Sequence, residues 1–111
     1  MKNLTVIIFA GGLLLTAFSS GPSKGEIEAG EKLYIKYACM SCHGKDGVML
    51  GDLRQAYKKY TDEQMKAYIK NPRQFNNVQM PVFESVIAEA DYKLLITYVK
   101  WLGQKADAAK K

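Results

Sequence analysis

Apolar positions recur at helical spacing in several stretches of the chain, and no segment shows the two-residue alternation of a half-buried strand. Ile27, Gly30, Leu33, Tyr34 and Tyr37 fall on one stripe, and Ser23-x-x-Glu26 before them has the spacing of a capping box. The pattern predicts a helix over about 26–38. Gly30 interrupts it at a cost of about 1 kcal/mol relative to alanine, which a helix tolerates where another backbone crosses closely. Leu53, Ala56, Tyr57 and Tyr60 lie at i, i+3, i+4 and i+7 and predict a short amphipathic helix. Thr61-Asp62-Glu63-Gln64 forms a second capping box, with its acids at the positive end of the next helix dipole. That helix is expected to run to about Asn71 and to stop at Pro72. Residues 72–87 read as irregular. A last helix is expected over roughly 89–102, with Leu94, Leu95, Tyr98, Trp101 and Leu102 facing inward and Gly103 as its stop. Residues 104–111 then form a charged, frayed tail. There are no repeats, and the class is all-α.

The first residues are of another kind. Lys2 precedes an apolar run from Leu4 to Phe18, followed by Ser19-Ser20-Gly21-Pro22-Ser23. This has the charged start, apolar centre and small-residue end of an export signal over 1–19. The apolar run is 15 residues (4 to 18), shorter than the roughly 20 of a spanning helix. An uncleaved anchor is the alternative, since no charge occurs between Asn3 and Ser23. Either way the remainder is expected outside the cytoplasm: a flexible leader over 20–25 and one domain over 26–103. The full chain has 111 residues, which suits one domain, and carries 16 basic and 11 acidic residues. Without Lys2 the balance is 15 − 11 = +4. That modest excess favours acidic protein partners or membrane surfaces. Nucleic acid is a poor fit, because basic and acidic residues are interleaved.

The chemistry is concentrated in Cys39-Met40-Ser41-Cys42-His43, the C-x-x-C-H pattern of covalent haem attachment. On a helix, positions i, i+3 and i+4 share a face. Cys39 and Cys42 can then meet the two vinyl groups on one haem edge, with the His43 imidazole carried beneath the ring. The chain has one histidine and two cysteines, all in this pentapeptide. A structural zinc site requires four such ligands. A thioredoxin-like site requires a βαβ setting, and a disulfide between residues three apart would close a trivial loop. Haem also answers a packing problem: these short helices enclose little core alone, and a large apolar plate gives their stripes something to cover.

The second axial ligand must come from elsewhere. Met40 lies inside the attachment motif and cannot cross the ring. Met49 is six residues from His43, too few to wrap around it. Met65 sits mid-helix, where methionine is ordinarily core. Met80 lies 80 − 43 = 37 residues beyond His43, in an irregular segment directly before Pro81. Histidine with methionine is a recurring c-type ligand pair, and Met80 is the expected ligand.

From about Glu28 to Gly103 the chain resembles the class I c-type cytochromes. The matching pieces are Gly30-Glu31-Lys32-Leu33-Tyr34, the attachment motif with Gly44, Ile69-Lys70-Asn71-Pro72, Met80-Pro81, and Tyr98 to Leu102. The resemblance implies a cytochrome c fold of three to five short helices around one haem c. It also implies that the glycine and aromatic of the first helix cross the last helix, here Gly30 and Tyr34 against Leu95 and Tyr98. Two positions depart from the family pattern. Leu50-Gly51-Asp52-Leu53 stands where Gly-Pro-x-Leu is usual, so the carbonyl expected to accept from the ligand histidine is that of Gly51. Ala88 stands where Ser or Thr usually caps the last helix, with Asp91 three residues later.

A histidine/methionine iron is coordinatively full, and the chain has no recognisable catalytic constellation. The expected role is one-electron transfer between redox proteins outside the cytoplasm. A fixed or membrane-tethered subunit of a larger oxidoreductase is the alternative. A peroxidase or gas-binding protein would need Met80 off the iron, with Arg73 the nearest distal cation. Tyr57, Tyr68 and Trp101 are candidate donors to haem carboxylates. Lys45, Lys58, Lys59, Lys66 and Lys70 are candidate docking cations, against the plainer reading of a solvated face.

Overall fold

The computed structural model describes residues 21–110. The proposed export signal over 1–19 therefore lies outside the described residues. The helices are α1 (Lys24–Lys36), α2 (Cys39–His43), α3 (Ala56–Lys59), α4 (Asp62–Lys70) and α5 (Tyr92–Ala109). Short 3-10 turns at Leu53–Gln55, Pro72–Phe75 and Glu89–Asp91 precede α3, follow α4 and lead into α5. Among the described residues there is no strand, and the chain is all-α as expected.

Both capping boxes form. Ser23 Oγ accepts from the Glu26 amide at 3.1 Å, and the Glu26 carboxylate accepts from the Ser23 amide at 2.9 Å. Thr61 and Gln64 make the same reciprocal pair at 3.1 and 2.8 Å. These bonds satisfy amides that a helix start leaves without partners. α1 begins two residues earlier than expected, since the helix starts directly after its Ser23 cap. It also ends sooner. Ala38 takes a left-handed φ of 63° and separates α1 from α2. α4 stops at Lys70, and Pro72 opens the following 3-10 turn, in line with its fixed φ and missing N–H.

The core lies where α1 crosses α5, with Tyr34, Leu95, Ile96, Tyr98, Val99 and Leu102 buried and Met65 packed beside them from α4. A Cβ on Gly30 would sit 2.5 Å from the Leu94 carbonyl oxygen and 2.6 Å from Tyr98 Cβ. Glycine is the only residue that lets the two backbones approach this closely. The Tyr34 and Tyr98 rings then meet at 5.2 Å, and Leu95 is buried beside them.

Gly103 is not a helix stop. α5 continues to Ala109, and the segment expected to fray is helical. A Cβ on Gly103 would lie 2.3 Å from the Arg54 carbonyl oxygen and 2.7 Å from a Tyr57 ring carbon. The glycine serves a close approach by the Leu53–Lys59 segment. Asp107 fixes the extra turn by accepting from the Tyr57 hydroxyl and pairing with Lys58 at 3.0 Å. At the other end of α5 the Ala88 position has no side-chain cap. Tyr37 takes over: its hydroxyl donates to Asp91 at 2.7 Å and accepts from the Ala88 amide at 3.4 Å.

Gly30→Ala and Gly103→Ala should each lower the denaturation midpoint. Overpacking against backbone costs about 1–3 kcal/mol, more than the roughly 1 kcal/mol alanine gains in a helix. Gly25→Ala, with only Ser23 Oγ at 3.9 Å, should be neutral or stabilising. Midpoints that rise for all three would contradict the close crossings.

Candidate cofactor site

α2 is a single turn, long enough to place Cys39, Cys42 and His43 side by side. Both cysteines are free, Cys39 half-buried and Cys42 exposed. Burial pushes the Cys39 thiol up to about 11, against a smaller opposing pull from its own backbone hydrogen bond. Burial thus keeps it a neutral thiol at ordinary pH. The turn is tied to the core by Tyr34, whose hydroxyl donates to the Gly44 carbonyl at 2.6 Å. Burial raises the Tyr34 phenol well above its ordinary value, so it stays protonated and remains a donor.

Two adjoining cavities, of about 310 and 350 Å³, open beside this turn. They share Cys39, His43, Leu50, Asn77, Met80 and Phe83, and together form one cleft. The inner wall is apolar, made by residues such as Leu53, Ala56, Ile69, Leu95, Ile96 and Val99. Among the described residues it carries two charged side chains, Asp52 and Lys59. Asp52 is engaged by Arg54, whose guanidinium meets both carboxylate oxygens at 2.9 Å and holds the carboxyl below its usual range. Lys59 forms no ion pair among the described residues.

The arrangement suits a large, flat, apolar group with anionic substituents. Two free thiols line it, an imidazole and a thioether line both lobes, and a cation stands on the inner wall. A haem c meets each of these features.

One expected contact is not made. His43 Nδ1 is buried without a hydrogen-bond partner among the described residues, so the Gly51 carbonyl does not accept from it. The backbone explains the difference. Gly51 has φ of 103° and Leu50 of 46°, whereas a proline would hold φ near −65° and aim its peptide elsewhere.

Met80 lies in a stretch without helix between the Pro72–Phe75 turn and α5. Asn77 Oδ1 accepts from the Met80 amide at 3.0 Å, and Asn77 Nδ2 donates to Tyr68 Oη at 2.8 Å. Sequence reasoning did not single out Asn77. Its signal was available, because asparagine characteristically bonds backbone amides two residues on. Of the other methionines, Met65 is buried at 5 % exposure and also lines the inner lobe, while Met49 is 56 % exposed.

The candidate carboxylate donors separate. Tyr68 lines the cleft. Tyr57 is turned to Asp107, and Trp101 packs on Tyr98 with Lys105 over its ring. The candidate docking cations separate too. Lys66 and Lys70 are half-buried ion-pair partners of Glu89, Lys70 at 3.2 Å, and both stand over the Tyr92 ring. Lys58 is held by Asp107. Lys45 and Lys59 remain without an ion pair among the described residues.

Residues 25–99, more than half of the chain, match the family model described as cytochrome c oxidase, cbb3-type, subunit III. The chain belongs to this family and is a c-type cytochrome. Domains of this kind bind haem c covalently and act in electron transfer. They are generally extracytoplasmic or membrane-associated. No helix among the described residues is long and apolar enough to cross a membrane. No curated protein and no solved structure matches the chain.

Tyr34→Phe should cost about 1–2 kcal/mol of stability, because it leaves the half-buried Gly44 carbonyl without its donor. A chemical denaturation midpoint unchanged from wild type would show that water replaces the phenol freely.

Proposed function

We propose that this protein carries single electrons between redox proteins outside the cytoplasm through one haem c, tethered by Cys39 and Cys42 and ligated by His43 and Met80. The observation that supports this reading most is a single apolar cleft lined at once by Cys39, His43 and Met80. When bound, the haem supplies an iron that gains and loses one electron, and a methionine ligand raises its potential. The chain's own residues do the rest. His43 and Met80 would hold the iron between them, which would leave no position for a substrate and argues against peroxidase or gas-binding chemistry. Leu53, Ile69, Leu95, Ile96 and Val99 would exclude water from the bound group. Gln55 and Lys59, one helical turn apart on the inner wall, provide donors for a haem carboxylate.

The family description favours a second reading, in which the same haem domain is a fixed subunit of an oxidase. The electron chemistry is shared, and the two differ in whether the partner leaves.

The ligand set has a direct test. Acid acetone should fail to extract the haem, and the polypeptide mass should rise by one haem. Met80→Ala should open the ferric iron to cyanide and lower its potential, while Met65→Leu should do neither. Loss of the far-red iron–thioether band in Met65→Leu but not in Met80→Ala would reverse the assignment.

A free carrier is steered to its partner by charge. Such docking interfaces are small, often below about 1,200 Å², and the attraction is screened over about 8 Å at physiological ionic strength. The second-order rate of electron transfer with the native partner should fall as salt rises. Lys45→Glu should slow it without changing the haem spectrum. Reversal of Lys66 or Lys70 tests something else, since both are committed to Glu89. A salt-independent rate, with the partner co-purifying at high salt, would favour the fixed subunit.

A further inference from the structure

We infer that Asn77 and Arg73 are positioning residues: they clamp the main chain of Met80 and thereby set how firmly the distal face of the haem is closed to other ligands. The inference rests on Met80 being the distal ligand, as proposed above.

A stretch without helix or sheet has no hydrogen-bond ladder to hold it, and such segments open most easily. The Met80 segment is held by side chains instead. Both main-chain polar groups of Met80 are engaged. Its amide donates to Asn77 Oδ1 at 3.0 Å, and its carbonyl accepts from Arg73 Nη1 at 3.3 Å. The same Asn77 oxygen accepts from the Gln79 amide at 2.9 Å, which closes the turn before the ligand. The amide nitrogen of Asn77 donates to Tyr68 Oη at 2.8 Å. Tyr68 is itself fixed on α4, stacked on Phe75 at 4.7 Å and tilted against Tyr60 at 5.7 Å.

The ends of the segment are tied to the same helix end. The Asn77 amide donates to the Pro72 carbonyl, and the Glu84 amide to the Lys70 carbonyl, both at 3.1 Å. Met80 is thus attached to α4 through Asn77 and to the Pro72–Phe75 turn through Arg73. Asparagine accepts from two amides with one end and donates to a phenol with the other. Aspartate keeps the first function and reverses the second, accepting from the phenol.

An added ligand can take the distal position only if Met80 withdraws, and withdrawal has to break or strain this clamp. Weakening the clamp should therefore tighten the apparent affinity for the competitor. The test is an imidazole titration of the ferric holoprotein, read from the haem spectrum and from loss of the far-red thioether band. Asn77→Ala removes all three of its side-chain hydrogen bonds and should tighten imidazole binding by about ten-fold or more. Arg73→Leu, which removes one, should give a few-fold change. Tyr68→Phe removes the phenol that anchors Asn77, and should give a smaller change than Asn77→Ala. This variant and Arg73→Leu carry the test if Asn77→Ala does not fold. Tyr57→Phe breaks the bond to Asp107 far along α5, and should lower the melting midpoint while leaving imidazole affinity as in wild type.

Affinities for all the clamp variants within about two-fold of wild type, alongside a tighter Met80→Ala, would overturn the clamp while leaving Met80 as the ligand. The same holds if the clamp variants lower only the melting midpoint, which is the mark of a purely structural role. An imidazole affinity unchanged by Met80→Ala places the failure in the ligand assignment itself, and the clamp falls with it.

Discussion

The close crossing of α1 and α5 at Gly30 is the constraint on which the site depends. With the Leu94 carbonyl 2.5 Å from where a Cβ would stand, α1 cannot move outward without losing the crossing or inward without a clash. That fixes Tyr34 against Tyr98 and aims its hydroxyl at the Gly44 carbonyl. The attachment turn is therefore held by the core from one end and by the left-handed Ala38 from the other. A short turn such as α2 has almost no stability of its own. Its position is borrowed from the longest helix pair among the described residues.

A second close approach extends the same logic. Gly103 brings the Leu53–Lys59 segment onto α5, and this segment forms part of the inner wall of the cleft. α4 supplies Met65, Tyr68 and Ile69 to that wall, and holds the Met80 segment through Tyr68. Outside the cleft, Lys66, Lys70 and Glu89 link α4 to the start of α5. Exposed ion pairs are weak individually. Their consequence here is for charge, since they take two lysines out of the set that a partner would meet.

The departure at Gly51 concerns the surroundings of His43. In the related pattern a proline carbonyl accepts from the histidine, and contacts of this kind tune a metal's electronic character where the histidine is a ligand. Here Gly51 adopts a φ that proline cannot, and His43 Nδ1 has no partner among the described residues.

The residues that meet in the cleft were legible in the sequence. Cys39, Cys42 and His43 are the whole supply of their kinds, and their spacing places them on one turn. Met80 stood out because it precedes proline in a segment with no helical period. The helices were legible where local chemistry decides them, as in the two capping boxes and the stop before Pro72. What stayed hidden were the consequences of contacts between distant residues. Gly103 reads locally as a stop, and only the Arg54 carbonyl against it shows that the helix must pass through. Lys66 and Lys70 read as free cations until Glu89 is brought 19 or more residues back to them. Asn77 reads as a loop residue until Tyr68 is placed beside it. Local propensity and covalent spacing are written in the order of the residues. The partner of a buried carbonyl, a lysine or an amide is chosen only when the chain closes on itself.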